Sequence, residues 1–178
     1  SGLDYSDGGC RYNPHTVPLT FLSVLVDAIL AIDQVVFRDR KATLAEFLSA
    51  VRNDWQGRED LRLAAVAAPH YGDGSEASIA LAARILAALC AYVKTFRNAQ
   101  GGRFTPAMYN YVEVVSWAGR TAATPDGRRR GDPLSPGLTP SRLHSGDSLG
   151  NVIRTVSRMP LRDFPGNTVL TLSFDKTG

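Results

Sequence analysis

The sequence is poor in the residues that build the simplest functional sites. It has two cysteines, three histidines and two methionines among 178 residues. One cysteine pair, Cys10 and Cys90, excludes a disulfide scaffold and a four-cysteine zinc site, and it fits a reducing compartment. His15, His70 and His144 lie far apart, and no Cys-x-x-Cys or His-x-x-x-His spacing exists, so no metal site is indicated. The histidines read as ordinary surface or hydrogen-bonded side chains. There is no Gly-x-Ser-x-Gly elbow and no glycine-rich loop joining a strand to a helix, so neither a serine hydrolase nor a nucleotide fold is suggested. Lysine is scarce, three against seventeen arginines, and the net charge is only +3. That mild excess does not indicate nucleic acid. The one basic run, Arg128–Arg130, lacks interleaved aromatics and reads as a solvated or ion-paired loop. Long uncharged apolar stretches are also missing. The most apolar segment, Val17–Phe37, contains Asp27, Asp33 and Gln34, which favours a core helix over a membrane span. The start, Ser1-Gly2-Leu3-Asp4, has neither the basic nor the apolar part of a signal peptide and no initiating Met. The chain stops at Gly178 just after a strand-like run, so both ends read as cut.

What remains is an ordinary globular composition, 44% hydrophobic and 21% charged. A chain of this length suits one domain or a large piece of one, able to bury roughly 70% of its unfolded surface. Residues 1–98 read as mainly helical. After a glycine-rich loop over 1–16, Pro18 is placed in a first helical turn. Phe21, Leu25, Ala28, Ile29, Ile32, Val35 and Val36 then recur at helical spacing. Thr43 with Glu46 makes a capping box for a helix reaching about Asn53 and burying Leu44, Phe47, Leu48 and Val51. A short helix over 60–67 ends at Pro69. Asp73-Gly74-Ser75 is a turn and cap for a long alanine-rich helix to about Phe96, whose uncharged part, 85–93, is expected in the core. The turn could hold an anion, but a plain cap is the favoured reading.

Residues 99–178 read as strand, long loop, helix, strand. Gly101-Gly102 is a turn, and 104–116 is aromatic and β-branched, favouring a strand. On that strand, alternation puts Tyr109, Tyr111 and Glu113 on one face. Residues 119–147 form a long loop of the kind usually tied to function or to a partner surface. A short helix over 149–159 and a strand over 167–174 follow.

Four clusters carry a family signal: Gly8-Gly9-Cys10-Arg11-Tyr12-Asn13; Arg97-Asn98-Ala99-Gln100-Gly101-Gly102-Arg103-Phe104; Thr124-Pro125-Asp126-Gly127-Arg128, continuing Gly131-Asp132-Pro133-Leu134; and the strand Asn167–Phe174. Pro69-His70-Tyr71-Gly72-Asp73 adds a fifth element. In this order and at these separations they resemble the glycyl radical enzymes, the pyruvate formate-lyase-like superfamily, over nearly the whole chain. The resemblance implies an α/β fold in which helices are followed by strands of a half-barrel, part of a ten-stranded barrel of two antiparallel halves. It also implies a radical lyase, dehydratase or acyltransferase acting on a small organic substrate, with the chain a fragment inactive alone. The family's glycyl radical is installed by a separate iron–sulfur, S-adenosylmethionine-dependent activating enzyme and passes to a cysteine thiyl. Neither the thiyl-cysteine motif nor the radical-glycine motif is present here. Cys10 falls in the G-G-x-R-Y-N element, and Cys90 reads as a small core residue. The implied partners are the rest of the barrel, the activating enzyme and a second copy in a homodimer. No nucleic acid and no membrane are expected, and the location is cytoplasmic.

Tyr109 and Tyr111 align with a strand whose residues reach the barrel interior and are the substrate-contact candidates, with packing in the barrel core as the alternative. Asp126 is expected to accept backbone N–H groups while Gly127 supplies a positive φ. Departures from the family wording fall at Tyr109–Glu113, at Ser141–Asn151 and at the last strand, so no substrate carries over. A standalone structural or binding module derived from the family is the second reading, and an arginine-rich nucleic-acid binder the third. A half-barrel cut from its partner half is expected to self-associate through open edges and apolar faces.

Overall fold

The computed structural model describes residues 2–110 and 113–172, with the Glu113 side chain excluded. Strand β1 (His15–Pro18) comes first, then helices α1 (Leu22–Ile32), α2 (Leu44–Arg52), α3 (Glu59–Val66) and α4 (Glu76–Val93). Strand β2 (Phe104–Ala107), a single turn α5 (Glu113–Ser116) and helix α6 (Leu149–Ser157) complete the order. β1 and β2 pair in parallel, His15 opposite Phe104 and Pro18 opposite Ala107. Met108 extends the ladder by a parallel bridge to Thr168, its N–H donating to Asn167 O at 2.7 Å and its carbonyl accepting from Val169 at 3.0 Å. Leu138 N–H reaches Val169 O on the far side, at 2.8 Å. A mixed helical fold on a short parallel sheet results.

The sheet corrects the expected order, because a strand precedes the helices. Pro18 ends β1 rather than opening α1, a position a proline tolerates since it has no N–H to give the ladder. The helix starts at Leu22 after Phe21, which sits at φ 61°. Its buried face also differs from expectation. Leu22, Val26, Leu30 and Ala31 point inward with Ser23 and Asp27, while Leu25 and Ile29 are exposed. α1 runs on as π-helical turns over Asp33–Arg38, which keep Val35 and Val36 buried.

The helix caps follow their sequence signals. Thr43 Oγ1 accepts from Glu46 N–H and the Glu46 carboxylate takes the Thr43 N–H at 2.8 Å, closing the capping box. Phe47 and Val51 are buried and Leu48 partly so, but Leu44 is exposed. Ser75 caps α4 through Ser78 N–H, and Asp73 Oδ1 accepts from both Ser75 N–H and Ser78 Oγ at 2.7 Å. A carboxylate therefore already occupies the helix terminus where an anion would sit. α4 is long and apolar enough to cross a membrane by length and composition. Here one stripe of it is buried, with Ile79, Ala82, Leu86 and Cys90 in a cluster with Leu22, Val26 and Tyr71, and Ser78 and Val93 buried beside them. Of the uncharged 85–93 stretch, Ile85 also packs against this core, whereas Ala87, Ala88, Ala91 and Tyr92 are exposed. A second core gathers Val35, Phe47, Val51, Trp55 and Leu61.

The expected strand over 104–116 stops at Ala107, and 113–116 are helical. β-Branched propensity alone does not hold a strand where the neighbouring chain offers no ladder. Among the described residues, 167–172 contribute one bridge rather than a regular strand; Phe174 lies outside them.

Candidate functional site

Three groups of side chains have chemistry beyond packing. The first is the loop 118–132, pinned by a buried arginine. Arg128 is 1% exposed, so the solvated reading fails at that residue, while Arg129 is ion-paired to Glu59, as the other half of the expectation had it. Its guanidinium donates to four main-chain carbonyls: Arg129 at 3.0 Å, Asp132 at 2.8 Å, Thr121 at 3.3 Å and, more closely, Ala122. Its Nε reaches Thr124 Oγ1 at 3.2 Å. The Thr124 hydroxyl bonds Asp126 Oδ1, which also accepts from Arg128 N–H at 3.4 Å. Gly127 sits at φ 95°, as the turn requires, and a Cβ there would lie 2.5 Å from Val66 Cγ2. The loop is tied to the helices from outside as well. Trp55 Nε1 donates to Arg128 O at 3.3 Å, Arg129 pairs with Glu59 at 2.6 Å, and Arg130 N–H donates to Asp54 at 2.8 Å. Asp54 and Trp55 are both held at positive φ to meet it.

The second group is a set of buried acids. Asp27 Oδ1 accepts the Tyr71 N–H at 2.6 Å, and Oδ2 has no partner among the described residues. Burial pushes the Asp27 carboxyl well above the usual range, and Asp126, Asp73 and Asp147 push the same way. Burial also raises Asp126, against the Thr124 and Arg128 hydrogen bonds that lower it.

The third group joins distant segments. The His70 and His144 rings stack at 3.5 Å with 7° between their planes. His70 Nδ1 lies 3.1 Å from Ala68 O, and Nε2 lies 3.0 and 3.2 Å from the two Asp147 oxygens. Burial, with His70 alongside, lowers the His144 imidazole to about 4. His70 is thus a hydrogen-bonded histidine, one of the two expected readings, and its stacking on His144 was not foreseen. Seventy-odd residues of intervening chain hid the pairing from any spacing rule. His144 and Asp147 line an open cleft of about 630 Å³ with Arg142, Pro140, Leu149 and Val152. The cleft wall is anchored where Pro140 packs on Gly72, whose φ of 104° and lack of a Cβ permit the approach.

Of the two substrate-contact candidates, Tyr109 is half-buried directly after Met108, the last ladder residue on the β2 chain. Beside it, Asn110 Oδ1 accepts from Gly137 N–H at 2.6 Å. Tyr111 lies outside the described residues, and the strand alternation that grouped it with Tyr109 and Glu113 does not extend to 113. Cys10 is exposed; Cys90 is buried in α4 and its thiol is pushed up to about 11 by desolvation. Among the described residues no group of three or more His, Cys, Asp or Glu side chains is arranged to hold a metal ion.

Comparison with known proteins shows what the chain is similar to. The profile described as pyruvate formate lyase-like matches residues 1–117. The (2S)-3-sulfopropanediol dehydratase of Klebsiella oxytoca is 28% identical over 148 residues, 82% of this chain and 18% of that protein. The isethionate sulfite-lyase of Oleidesulfovibrio alaskensis is 32% identical over 134 residues, 71% of this chain and 15% of that protein. Among solved structures, the B12-independent glycerol dehydratase of Clostridium butyricum superposes with a TM-score of 0.86 at 28% identity, over 92% of this chain and 21% of that one. A glycyl radical enzyme of Archaeoglobus fulgidus gives 0.87 at 27% identity, over 93% and 21%. The chain thus spans about a fifth of the length of the relatives it matches.

Proposed function

We propose a function from one premise: this chain belongs to the pyruvate formate lyase-like family, the glycyl radical enzymes. The reading is that it forms part of a radical dehydratase or lyase acting on a small organic substrate and is inactive by itself. The observation that carries this is the superposition on the glycerol dehydratase over 92% of the chain while covering 21% of that enzyme. Residues 1–178 are one partial domain in this reading, and the β1–β2 ladder with its Thr168 bridge is a piece of one half-barrel.

The glycyl radical, installed by a separate iron–sulfur, S-adenosylmethionine-dependent activating enzyme, supplies hydrogen abstraction through a cysteine thiyl. Neither cysteine of this chain suits that relay. Cys90 is sealed in an apolar helix packing, and Cys10 stands exposed in the turn before β1. We therefore assign both radical residues to other parts of the parent enzyme, and to this chain a positioning role. Met108, bonded on both sides of its peptide, fixes the end of the ladder. Tyr109 follows it and would present its ring and hydroxyl to substrate, an apolar face with a polar tip. Tyr111 is assigned to the same wall. The Arg128 loop would hold this wall to the helices while taking no part in bond breaking. The rest of the barrel, the activating enzyme and a second copy are the partners, in the cytoplasm.

The test is anaerobic co-production of the intact protein with an activating enzyme, read by electron paramagnetic resonance. A protein-based carbon radical, with turnover of a small hydroxylated substrate, is expected. In that enzyme Tyr109→Phe, which deletes only the hydroxyl, should raise KM more than it lowers kcat. Absence of any radical after activation under conditions that activate a relative would refute the reading.

A further inference from the structure

The cleft beside His144 is the strongest unassigned feature. Its lining comes mainly from residues 136–152, with Thr171 and Leu172, and it is backed by His70 of the Pro69–Asp73 element, which faces Asp147 and stacks on His144.

Its polar groups are held in place rather than merely nearby. His70 is clamped between Ala68 O and the Asp147 carboxylate, so its ring plane is fixed. His144 stacks flat on that ring. The turn Arg142–His144 is capped by Ser141 Oγ, which accepts from Leu143 N–H at 3.3 Å, and closed by Asp147 N–H on His144 O at 3.1 Å. Among the described residues neither ring nitrogen of His144 makes a hydrogen bond, and the Arg142 guanidinium has no ion pair. Asp147, the acid of the cleft, already faces His70. The cleft therefore offers one uncommitted cation, one uncommitted imidazole and apolar walls from Pro140, Leu149 and Val152. With its titration lowered to about 4, the imidazole is uncharged near neutrality and keeps an accepting nitrogen.

We propose that this cleft binds a small hydroxy-carboxylate anion, with the carboxylate on Arg142 and the hydroxyl donating to the His144 ring. Arg142 can take a carboxylate through two N–H groups at once. A neutral imidazole next to it favours a hydroxyl over a second anionic group. The apolar walls from Pro140, Leu149 and Val152 suit a short carbon chain between the two polar ends. The proposal concerns this cleft alone and is independent of the radical reading, since binding needs no activation.

The experiment is calorimetric titration of the intact, unactivated protein with 3-hydroxypropionate, propionate and ethylene glycol. Saturable 3-hydroxypropionate binding is expected, with propionate weaker and ethylene glycol undetected. Arg142→Gln should weaken 3-hydroxypropionate about ten-fold or more, the loss of a charge-assisted contact. Arg142 is exposed, so this variant should melt with the parent. His144→Phe, which keeps a ring to stack on His70, should abolish the preference over propionate. No saturable binding, binding unchanged by Arg142→Gln, or a preference that survives His144→Phe would each overturn the proposal.

Discussion

Replacing Arg128 with methionine tests what organises the long loop. The substitution keeps a long apolar stem but deletes five hydrogen-bond donors. Four carbonyls, those of Thr121, Ala122, Arg129 and Asp132, lose a donor, and the raised carboxyl of Asp126 loses its neighbouring cation. A buried acceptor left without a partner costs about 1–3 kcal/mol, and breaking a buried charged contact by removing one side costs about 3–5 kcal/mol. The costs overlap, because the loop can open to water at its exposed residues, Ala122 and Arg130. A net loss of about 4 kcal/mol is expected, concentrated in the loop. Hydrogen exchange in the intact protein reads this directly. At about 1.4 kcal/mol per factor of ten, amides over 121–132 should exchange several hundred-fold faster. Trp55 gives a second reading, since its indole N–H is bonded to the Arg128 carbonyl and its emission should shift as that contact loosens. Arg128→Lys, a point charge without the planar fork, should fall between the two. Exchange over 121–132 within three-fold of the parent in Arg128→Met would refute the view that the guanidinium holds the loop.

Other consequences can be measured in the same material. Thr43→Ala removes the capping box and should cost about 1 kcal/mol, seen as faster exchange in the first turn of α2. Gly127→Ala forces a Cβ against Val66 at φ 95° and should destabilise by about 1–3 kcal/mol, with Gly72→Ala acting likewise against Pro140. Because folding lowers the His144 titration to about 4, the unfolded chain binds the extra proton first. Stability should therefore fall as pH drops from about 6.5 towards about 4, and His144→Gln should flatten that slope in a pH series of melts. Asp27 has the opposite sign: its raised carboxyl makes the folded state hold a proton longer, so its ionisation costs stability as pH rises through the folded value. Asp27→Asn keeps an acceptor for Tyr71 N–H, and at neutral pH it should melt no lower than the parent, its advantage shrinking in acid.

Local signals in the sequence carried well where the interaction itself is local. Thr43 with Glu46, and Ser75 after Asp73-Gly74, specify helix starts through side chains three residues away. Asp126 and Gly127 specify their turn in the same way. Non-local decisions were not legible. β1 contains His15, Thr16, Val17 and Pro18, an exposed tetrapeptide with no periodicity, and it exists because a partner 89 residues later pairs with it. Tyr109 to Val115 carry stronger strand propensity than β1 does, yet 113–116 form a helical turn. α1 offered two apolar stripes of similar strength. The one chosen takes Ser23 and Asp27 inward because Tyr71 supplies a backbone donor for the acid. The His70–His144 stack is of the same kind, joining two segments 74 residues apart in the chain. The four motif clusters stood out because a family pattern, rather than a physical rule, joins them.

The membership of this chain in a larger radical enzyme is tested most directly by reading the open frame on both sides of the segment. A G-C-x-E-like loop upstream and an R-V-x-G-Y-like loop downstream in the same frame are the expected result. A start codon and a stop codon closely bounding the segment would contradict it, and would leave a structural or binding module of the same fold.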